Sequence, residues 1–176
     1  MMTNSRSDNV NTRNLVVDIL LAVTRDGAFS HIAIRDVLDK YRYLPKQDRA
    51  FITRLSQGTI ERMIELDAII NQFSKTKVKK MKPVIAAILR SGVYQLKYMD
   101  SVPDSAACNE AVKLTVKRGF GGLKGFVNGV MRTIARNMDQ IRYPDAEKEP
   151  VRYLSVKYSI PEWLVQRFTE QYGAEA

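Results

Sequence analysis

The chain has 176 residues, of which 45% are apolar and 27% carry a charge, and its formal net charge is +9. This composition is typical of a globular protein with a substantial core, and it excludes a chain that is disordered throughout. No run of about 18 apolar residues occurs and the first residues are polar, so we expect neither a membrane span nor a signal peptide. Cys108 is the single cysteine, which excludes an internal disulfide and favours a cytoplasmic protein.

The positive charge is concentrated in the middle of the chain. Residues 1–67 carry ten basic and nine acidic side chains, a balance of +1, and residues 139–176 carry five and seven, a balance of −2. Residues 68–138 carry thirteen and three, a balance of +10. A run of charge is often only a solvated surface, but its segregation into one block favours a polyanionic partner, nucleic acid more than a membrane.

After a polar lead, apolar residues recur at helical spacing from Asn14 to Phe73. A first helix ends at Asp26-Gly27, and Ser30 is the expected N-cap of a second helix that closes at Leu44-Pro45. The next segment is either one long helix or two helices bent near Gly58 or Glu65. The positions that carry these predictions are Val16, Ile19, Leu20, Val23, Ile34, Val37, Leu38, Tyr41, Ile52, Leu55, Thr59, Met63, Leu66, Ile70 and Phe73.

A solvated, lysine-rich connector follows, with five lysines in positions 75–82 and no acidic residue. Pro83 suits the first turn of a deeply buried helix, whose inward face is formed by Ile85, Ile88, Leu89, Gly92, Val93 and Leu96. After a break at SVPDSAAC, the next helix is predicted to bury a stripe of smaller residues formed by Cys108, Ala111, Val112, Thr115 and Val116.

The segment 119–138, GFGGLKGFVNGVMRTIARNM, combines a glycine-rich start with the most regular amphipathic helix in the chain. Its apolar face recurs at Val127, Val130, Met131, Ile134, Ala135 and Met138. The glycines do not follow a strand, and Lys124 stands where a dinucleotide-binding motif needs its third glycine, which argues against such a motif. Two interpretations stay open: backbone amides beside Lys124 that hold a phosphate, or a flexible helix connection.

Gly125 and Gly129 lie one turn apart in this helix. A glycine in a helix interior costs roughly 1 kcal/mol relative to alanine. We expect close approach of a neighbouring helix to offset this cost, and close approach of an RNA backbone is the alternative.

No strand alternation, hairpin dipeptide or internal repeat competes with the helical patterns, so we predict an all-α fold, a compact bundle of about seven helices. The composition changes after Met138, where YPDAEKEP is typical of a linker and two short helices flank Ile160-Pro161. We therefore predict a domain at 1–138 and a separate segment at 139–176. That segment has more apolar surface than a linker needs, which predicts docking or homo-association through Leu154, Tyr158, Trp163, Leu164 and Phe168.

Patterns for catalysis or metal binding are not found in the sequence. His31 is the only histidine, and Cys108 lacks a CxxC partner. We interpret both residues as structural, with Cys108 acting as a small buried hydrophobe.

Three stretches resemble the RNA-binding fold of the NusB family: LSQGTIERMIELDAIIN at 55–71, ILRSGVYQLKYMDSVPDSAACNEAVKL at 88–114, and LKGFVNGVMRTIAR at 123–136. More narrowly, the chain resembles the N-terminal domain of the ribosomal RNA small-subunit methyltransferase B family. RYLSVKYSIPEWLVQRFTEQYG at 152–173 is similar to the segment that leads those enzymes into their next domain. The alternative is a stand-alone NusB-type transcription antitermination factor that binds RNA with a protein partner.

The narrower resemblance implies an RNA-positioning module of an S-adenosylmethionine-dependent 16S rRNA cytosine-C5 methyltransferase. Family members carry a following Rossmann-like domain with a glycine-containing cofactor loop and a cysteine nucleophile in a Pro-Cys context, and neither motif occurs in this chain. We therefore expect part of a longer enzyme, with no catalytic site and no cofactor in this chain. Cys108, between Ala107 and Asn109, does not match the nucleophile motif.

In NusB-like domains, RNA contacts are associated with a basic N-terminal region, which here contains Arg6 and Arg13. With the basic block, the predicted RNA-binding residues are Arg6, Arg13, Lys75, Lys77, Lys79, Lys80, Lys82, Lys113, Lys117, Arg118, Lys124, Arg132 and Arg136. A third hypothesis is a protein-interaction bundle with incidental charge. Salt-dependent RNA binding is the observation that separates it from the two RNA-binding hypotheses.

Overall fold

The computed structural model describes residues 10–173, which form nine α-helices and three single-turn 3₁₀ segments, with no strand in that range. Seven helices form a bundle: α1 (Thr12–Thr24), α2 (Ser30–Lys40), α3 (Lys46–Glu61), α4 (Met63–Phe73), α5 (Pro83–Tyr98), α6 (Asp104–Lys117) and α7 (Lys124–Arg136). Two more follow a linker: α8 (Pro150–Tyr158) and α9 (Glu162–Tyr172). The predicted all-α class is confirmed. Within the described range, no helix has the length and apolar character needed to cross a membrane.

Helix α5 is the centre of the bundle, because it packs against α1, α3, α4, α6 and α7. Pro83 lies in its first turn, as predicted, where the missing amide hydrogen costs nothing. Its inward side chains include Ile85, Ile88, Leu89 and Val93, all almost fully buried. Burial of each such side chain contributes about 1.5 to 3 kcal/mol to the stability of the fold. The apolar stripe of α5 therefore forms the centre of the core.

Two glycines allow close packing between helices, one between α3 and α5 and one between α5 and α7. A Cβ at Gly58 of α3 would collide with the ring of Tyr94 on α5. A Cβ at Gly92 of α5 would lie 2.6 Å from Met131 Cε of α7. The close approach that we predicted for Gly125 and Gly129 is absent: nothing lies within 4 Å of a Cβ at either position, so the neighbouring-helix explanation is wrong there.

Several local predictions differ from the structure. Helix α2 begins at Ser30, so the N-cap is Phe29 and no side chain caps that helix. Helices α3 and α4 are separate and meet at Arg62, between the two positions predicted for a bend. Helix α7 starts only at Lys124, because Gly119 has a left-handed φ of 85° and a 3₁₀ turn follows at Gly121–Leu123.

The inward stripe of α6 is rotated relative to the prediction. Val116 is 51% exposed, and Leu114 is buried instead. Cys108, Ala111 and Thr115 are buried as predicted. The spacing of small residues identified the helix, but it did not decide whether Leu114 or Val116 faces the core.

The segment after the bundle packs back onto it. Helix α8 lies against α4, and α9 lies against α8. Val156 is buried, and the Ile64 backbone amide donates to Ser159 Oγ at 3.1 Å. The predicted docking of this segment is therefore observed, but three of the five residues predicted to carry it, Tyr158, Trp163 and Phe168, are more than half exposed. The predicted domain boundary near residue 139 stays a prediction.

Candidate nucleic-acid interface

Helix α7 separates a buried apolar face from an outward face of glycine and arginine. Its buried side chains are Val127, Val130, Met131 and Ile134. Gly125, Gly129, Arg132 and Arg136 are all exposed. Since an added Cβ at either glycine meets open space, the helix backbone is accessible beside two cationic side chains.

Helix α6 extends this cationic surface. Exposed polar side chains recur every four residues on it, at Asn109, Lys113 and Lys117. Arg132 of α7 crosses to this helix, because its Nη2 donates to Asn109 Oδ1 at 2.9 Å while its Nε donates to Asn128 Oδ1 at 3.0 Å. These two bonds hold the guanidinium between the helices. We name as the α6–α7 face the surface formed by Lys113, Lys117, Lys124, Arg132 and Arg136.

Two other arginines of the predicted RNA-binding set are bonded to helix α1 or α5 within the bundle. Arg118 joins α6 to α1, since its Nε donates to Asn14 Oδ1 at 2.7 Å and its Nη2 forms an ion pair with Asp18 at 2.6 Å. Arg13 donates from Nε to Gln95 Oε1 at 2.7 Å, and burial lowers the pKa of its guanidinium. Both side chains link helices that are distant in sequence. Arg6 lies outside the described residues.

The lysine connector, residues 74–82, lies between α4 and α5. Val78 is buried and anchors it, and the Val78 amide donates to Asn71 Oδ1 at 2.9 Å. The five lysines of the predicted set are exposed: Lys75, Lys77, Lys79, Lys80 and Lys82. Because the connector packs on α4 and borders the segment after the bundle, the predicted residues are divided between two surfaces.

A buried polar network joins α4, α5 and the linker. Glu65 is only 2% exposed, and it accepts hydrogen bonds from Tyr98 Oη and from Lys97 Nζ, the latter at 3.1 Å. Lys97 Nζ also donates to Tyr143 Oη of the linker. The sequence carries one signal for this network, an acidic residue beside Leu66 in the apolar stripe of α4.

The network shifts two pKa values. Burial opposes the charged form of Lys97, but hydrogen bonds to Tyr143 and Glu65 outweigh it and raise the pKa of Lys97 to about 12. Burial, with the hydrogen bond to Glu65, raises the pKa of Tyr98 to about 12. Lys97 therefore stays charged and Tyr98 stays neutral at physiological pH, which suits a structural anchor.

Neither residue considered for catalysis has a reactive setting. Cys108 is 1% exposed, and burial raises the pKa of its thiol despite the nearby Arg132 guanidinium. A buried, protonated thiol is a poor nucleophile. His31 is exposed, with its ring 6.1 Å from that of Phe29. No group of three His, Cys, Asp or Glu side chains suited to a metal ion occurs among residues 10–173.

The family model described as the NusB family matches residues 10–136. This range contains the whole seven-helix bundle. The chain belongs to the NusB family. The resemblance stated from the sequence is therefore confirmed.

Relatives of two kinds match this NusB-family chain. It is 37% identical over 164 residues to the probable ribosomal RNA small subunit methyltransferase B of Bacillus subtilis (strain 168), covering 93% of this chain and 36% of that protein. It is 32% identical over 130 residues to the transcription antitermination protein NusB of Nitratidesulfovibrio vulgaris (strain DSM 19637 / Miyazaki F), covering 68% of this chain and 79% of that protein. The chain thus spans about a third of the length of its methyltransferase relative.

A solved structure shares the fold. The crystal structure of the antitermination factors NusB and NusE in complex with dsRNA matches with a TM-score of 0.65 and 21% identity, covering 71% of this chain and 93% of that one. At this identity the match shows the common fold alone.

Proposed function

We propose that this chain is the RNA-binding module of a longer, cytoplasmic, S-adenosylmethionine-dependent methyltransferase that modifies cytosine C5 in 16S rRNA. The observation that carries the proposal is the extent of the sequence match. Similarity to the methyltransferase covers 93% of the chain, so it continues beyond the bundle, whereas similarity to the antitermination protein covers 68%. The segment after residue 136 is the part that favours the methyltransferase.

In this proposal the α6–α7 face contacts phosphates and positions the RNA. Its lysines and arginines are exposed, and the glycines between them allow a backbone to come close to α7. Cationic side chains on a smooth helical surface suit sequence-independent contact with phosphate oxygens. Selection of the modified cytosine then belongs to the catalytic part of the longer protein.

The described residues do not fit S-adenosylmethionine. The family's cofactor loop belongs to a Rossmann-like domain, which requires a parallel sheet, and residues 10–173 contain no strand. The cofactor supplies the methyl group in the longer enzyme, and this chain's own residues contribute RNA positioning only.

The alternative is a stand-alone antitermination factor that binds RNA together with a protein partner. The similarity to an antitermination protein over 79% of that protein's length favours it. The two functions differ in whether the chain binds RNA by itself.

The test is a fluorescence titration of the 176-residue chain into a fragment of small-subunit rRNA at several salt concentrations. We expect micromolar or weaker affinity that falls steeply with salt, because each phosphate contact contributes about 0.7 to 0.9 to the logarithmic salt slope. Lys113→Glu with Arg136→Glu should weaken binding and reduce that slope. The matched control, Lys40→Glu with Arg42→Glu on exposed positions of and beside α2, should leave the slope unchanged.

Four results would contradict the proposal. Equal losses in both double variants, or binding that ignores salt, would favour a protein-interaction bundle. Binding that requires a protein partner would favour the antitermination alternative. Stoichiometric binding of S-adenosylmethionine to this chain, detected by calorimetry, would overturn the assignment of the cofactor site to the rest of the enzyme.

A further inference from the structure

A groove of about 890 Å³ lies where the lysine connector, α4 and the segment after the bundle meet. One wall carries Lys77 and Lys79 from the connector. The other carries Arg142 from the linker and Arg152 from α8. The two pairs of cations come from parts of the sequence with opposite charge balances, +10 and −2, so the charge pattern alone did not reveal this surface.

The cations of the groove have few counterions. Asp67 is the acidic side chain of the lining, and Arg90 already binds it with two bonds of 2.6 and 2.8 Å. Arg152 pairs with the exposed Glu149 at 3.2 Å. Among the described residues, no ion pair joins Lys77, Lys79 or Arg142 to a carboxylate. Three of the four cations of the groove therefore carry a charge that no described carboxylate compensates.

Two side-chain amides of the groove lining are already bonded within the fold. Asn71 Oδ1 accepts the Val78 amide, and Gln72 makes two bonds with the Arg142 backbone, donating to its carbonyl at 2.7 Å and accepting its amide at 3.0 Å. Groups that are already bonded are not free to read base edges. The cationic side chains that remain can bind negatively charged groups, but they cannot distinguish one nucleotide sequence from another.

We propose that this groove binds the phosphate backbone of single-stranded RNA, and that binding clamps the segment after the bundle onto α4. This inference rests on the proposed function and adds a second contact surface to it. Because the ligand touches both walls, it binds only the docked arrangement tightly. By reciprocity, RNA stabilises docking and docking raises RNA affinity to the same degree.

The docked arrangement has few other links to the bundle. They are the Gln72–Arg142 pair, the Lys97–Tyr143 bond, the Ile64–Ser159 bond and a long contact of 3.4 Å from Arg62 Nη1 to the Lys157 carbonyl. Val156 adds a buried apolar contact. A modest binding energy shared across the groove is therefore large enough to change how often this segment is released.

The experiment uses the 176-residue chain and a fluorescent 20-nucleotide oligouridine. Arg142→Ala with Arg152→Ala removes one wall, and Lys148→Ala with Arg167→Ala removes the same charge from exposed positions outside the groove lining. The groove variant should lower the logarithmic salt slope by about 1.4, which corresponds to two contacts with a single strand. The control should keep the wild-type slope.

A second measurement follows the clamp directly. Amide hydrogen exchange in residues 141–158 should slow when oligouridine binds the wild-type chain or the control, and it should not slow in the groove variant. Equal salt slopes in the two variants, or no RNA-dependent protection, would overturn the inference. A glutamate-rich peptide that binds at least as tightly, with the same dependence on Arg142 and Arg152, would overturn it in favour of an acidic protein partner.

The result is separable from the test of the proposed function. If the groove variant binds like the wild type while the α6–α7 variant loses affinity, the groove inference fails and the proposed function stands. If the wild-type chain shows no salt-dependent RNA binding, the proposed function itself fails.

Discussion

At the scale of single residues, replacing the buried Gly58 and the exposed Gly129 by alanine should change the stability of the protein in opposite directions. Gly58→Ala should destabilise the protein by roughly 1 to 3 kcal/mol, because the new Cβ collides with the ring and hydroxyl of Tyr94 and forces the ring aside. Gly129→Ala should stabilise it by about 0.5 to 1 kcal/mol, because the site is open and glycine is a poor helix former. Denaturant unfolding followed by circular dichroism measures both. Shifts in the same direction would contradict this account, and reduced RNA affinity of Gly129→Ala would favour close approach of an RNA backbone.

Residue-scale predictions from sequence succeeded where spacing along one helix decides burial, and they were incomplete where a partner is distant. Val16, Leu55 and Ile134 are fully buried as their helical periods indicated. By contrast, Arg13 and Arg118 bind residues 82 and 104 positions away. Helical periodicity carries no information about such pairs. Arg13 and Arg118 were therefore predicted to bind RNA together with the exposed basic residues.

At the scale of secondary-structure elements, the sequence predicted where helices occur, but it left open whether α3 and α4 are one helix or two and it misplaced some boundaries. The α3–α4 junction falls at Arg62, where no glycine or proline occurs and only tertiary packing decides the break. The connection before α7 is set by Gly119 in the left-handed region, which shortened the predicted helix. The first boundary depends on contacts between helices, which are not visible in the sequence, and the second depends on which glycine of the cluster adopts the left-handed conformation.

The Glu65 network gives a pH prediction for the contact between α4 and α5. The folded-state pKa of Lys97 is raised from 10.5 to about 12, and that of Tyr98 from 10.0 to about 12. The folded protein thus holds both protons more tightly than the unfolded chain. Their contribution to stability is complete below about pH 10 and is lost as the pH rises toward 12.

The free energy of unfolding, measured between pH 8 and pH 12, should therefore fall steeply above pH 10. Tyr98→Phe should be less stable at pH 8, because it leaves the buried Glu65 with one donor fewer, yet its decline above pH 10 should be shallower. Parallel curves for the two proteins would show that Tyr98 does not titrate as the structure indicates.

At the scale of the whole molecule, the charge of the sequence and the charge of the surface are organised differently. The sequence placed the basic excess in residues 68–138, and the fold divides that block between the α6–α7 face and the lysine connector. It also brings Arg142 and Arg152 beside the connector from a segment with a negative balance. The lysines of the groove were therefore predictable from the local charge of the sequence. The contribution of Arg142 and Arg152 was not, because it depends on the docking of α8 on α4.

The same docking leaves an apolar surface on the outer side of the last two helices. Tyr158, Trp163, Phe168 and Tyr172 are each more than half exposed. A groove of about 510 Å³ runs between α8 and α9, lined by Leu154, Tyr158, Ile160, Val165, Phe168, Thr169, Tyr172 and Gly173. Trp163 therefore does not report on docking to the bundle, contrary to what its apolar character indicated. Exposed apolar surface of this kind promotes association.

We accordingly predict that the isolated chain self-associates through α9 as its concentration rises. In the dilute monomer Trp163 should emit like a solvated indole, and association should shift its emission to the blue as the ring is buried. Sedimentation velocity over a hundredfold concentration range measures the effect. Trp163→Ala with Phe168→Ala should remain monomeric while the helicity of the bundle is retained, because neither side chain contributes to the buried core. The control, Phe29→Ala, removes another exposed aromatic ring at the start of α2 and should associate like the wild type. A wild-type chain that stays monomeric at every concentration would show that this surface is not adhesive, and the exposure of its four aromatic rings would then need a different explanation.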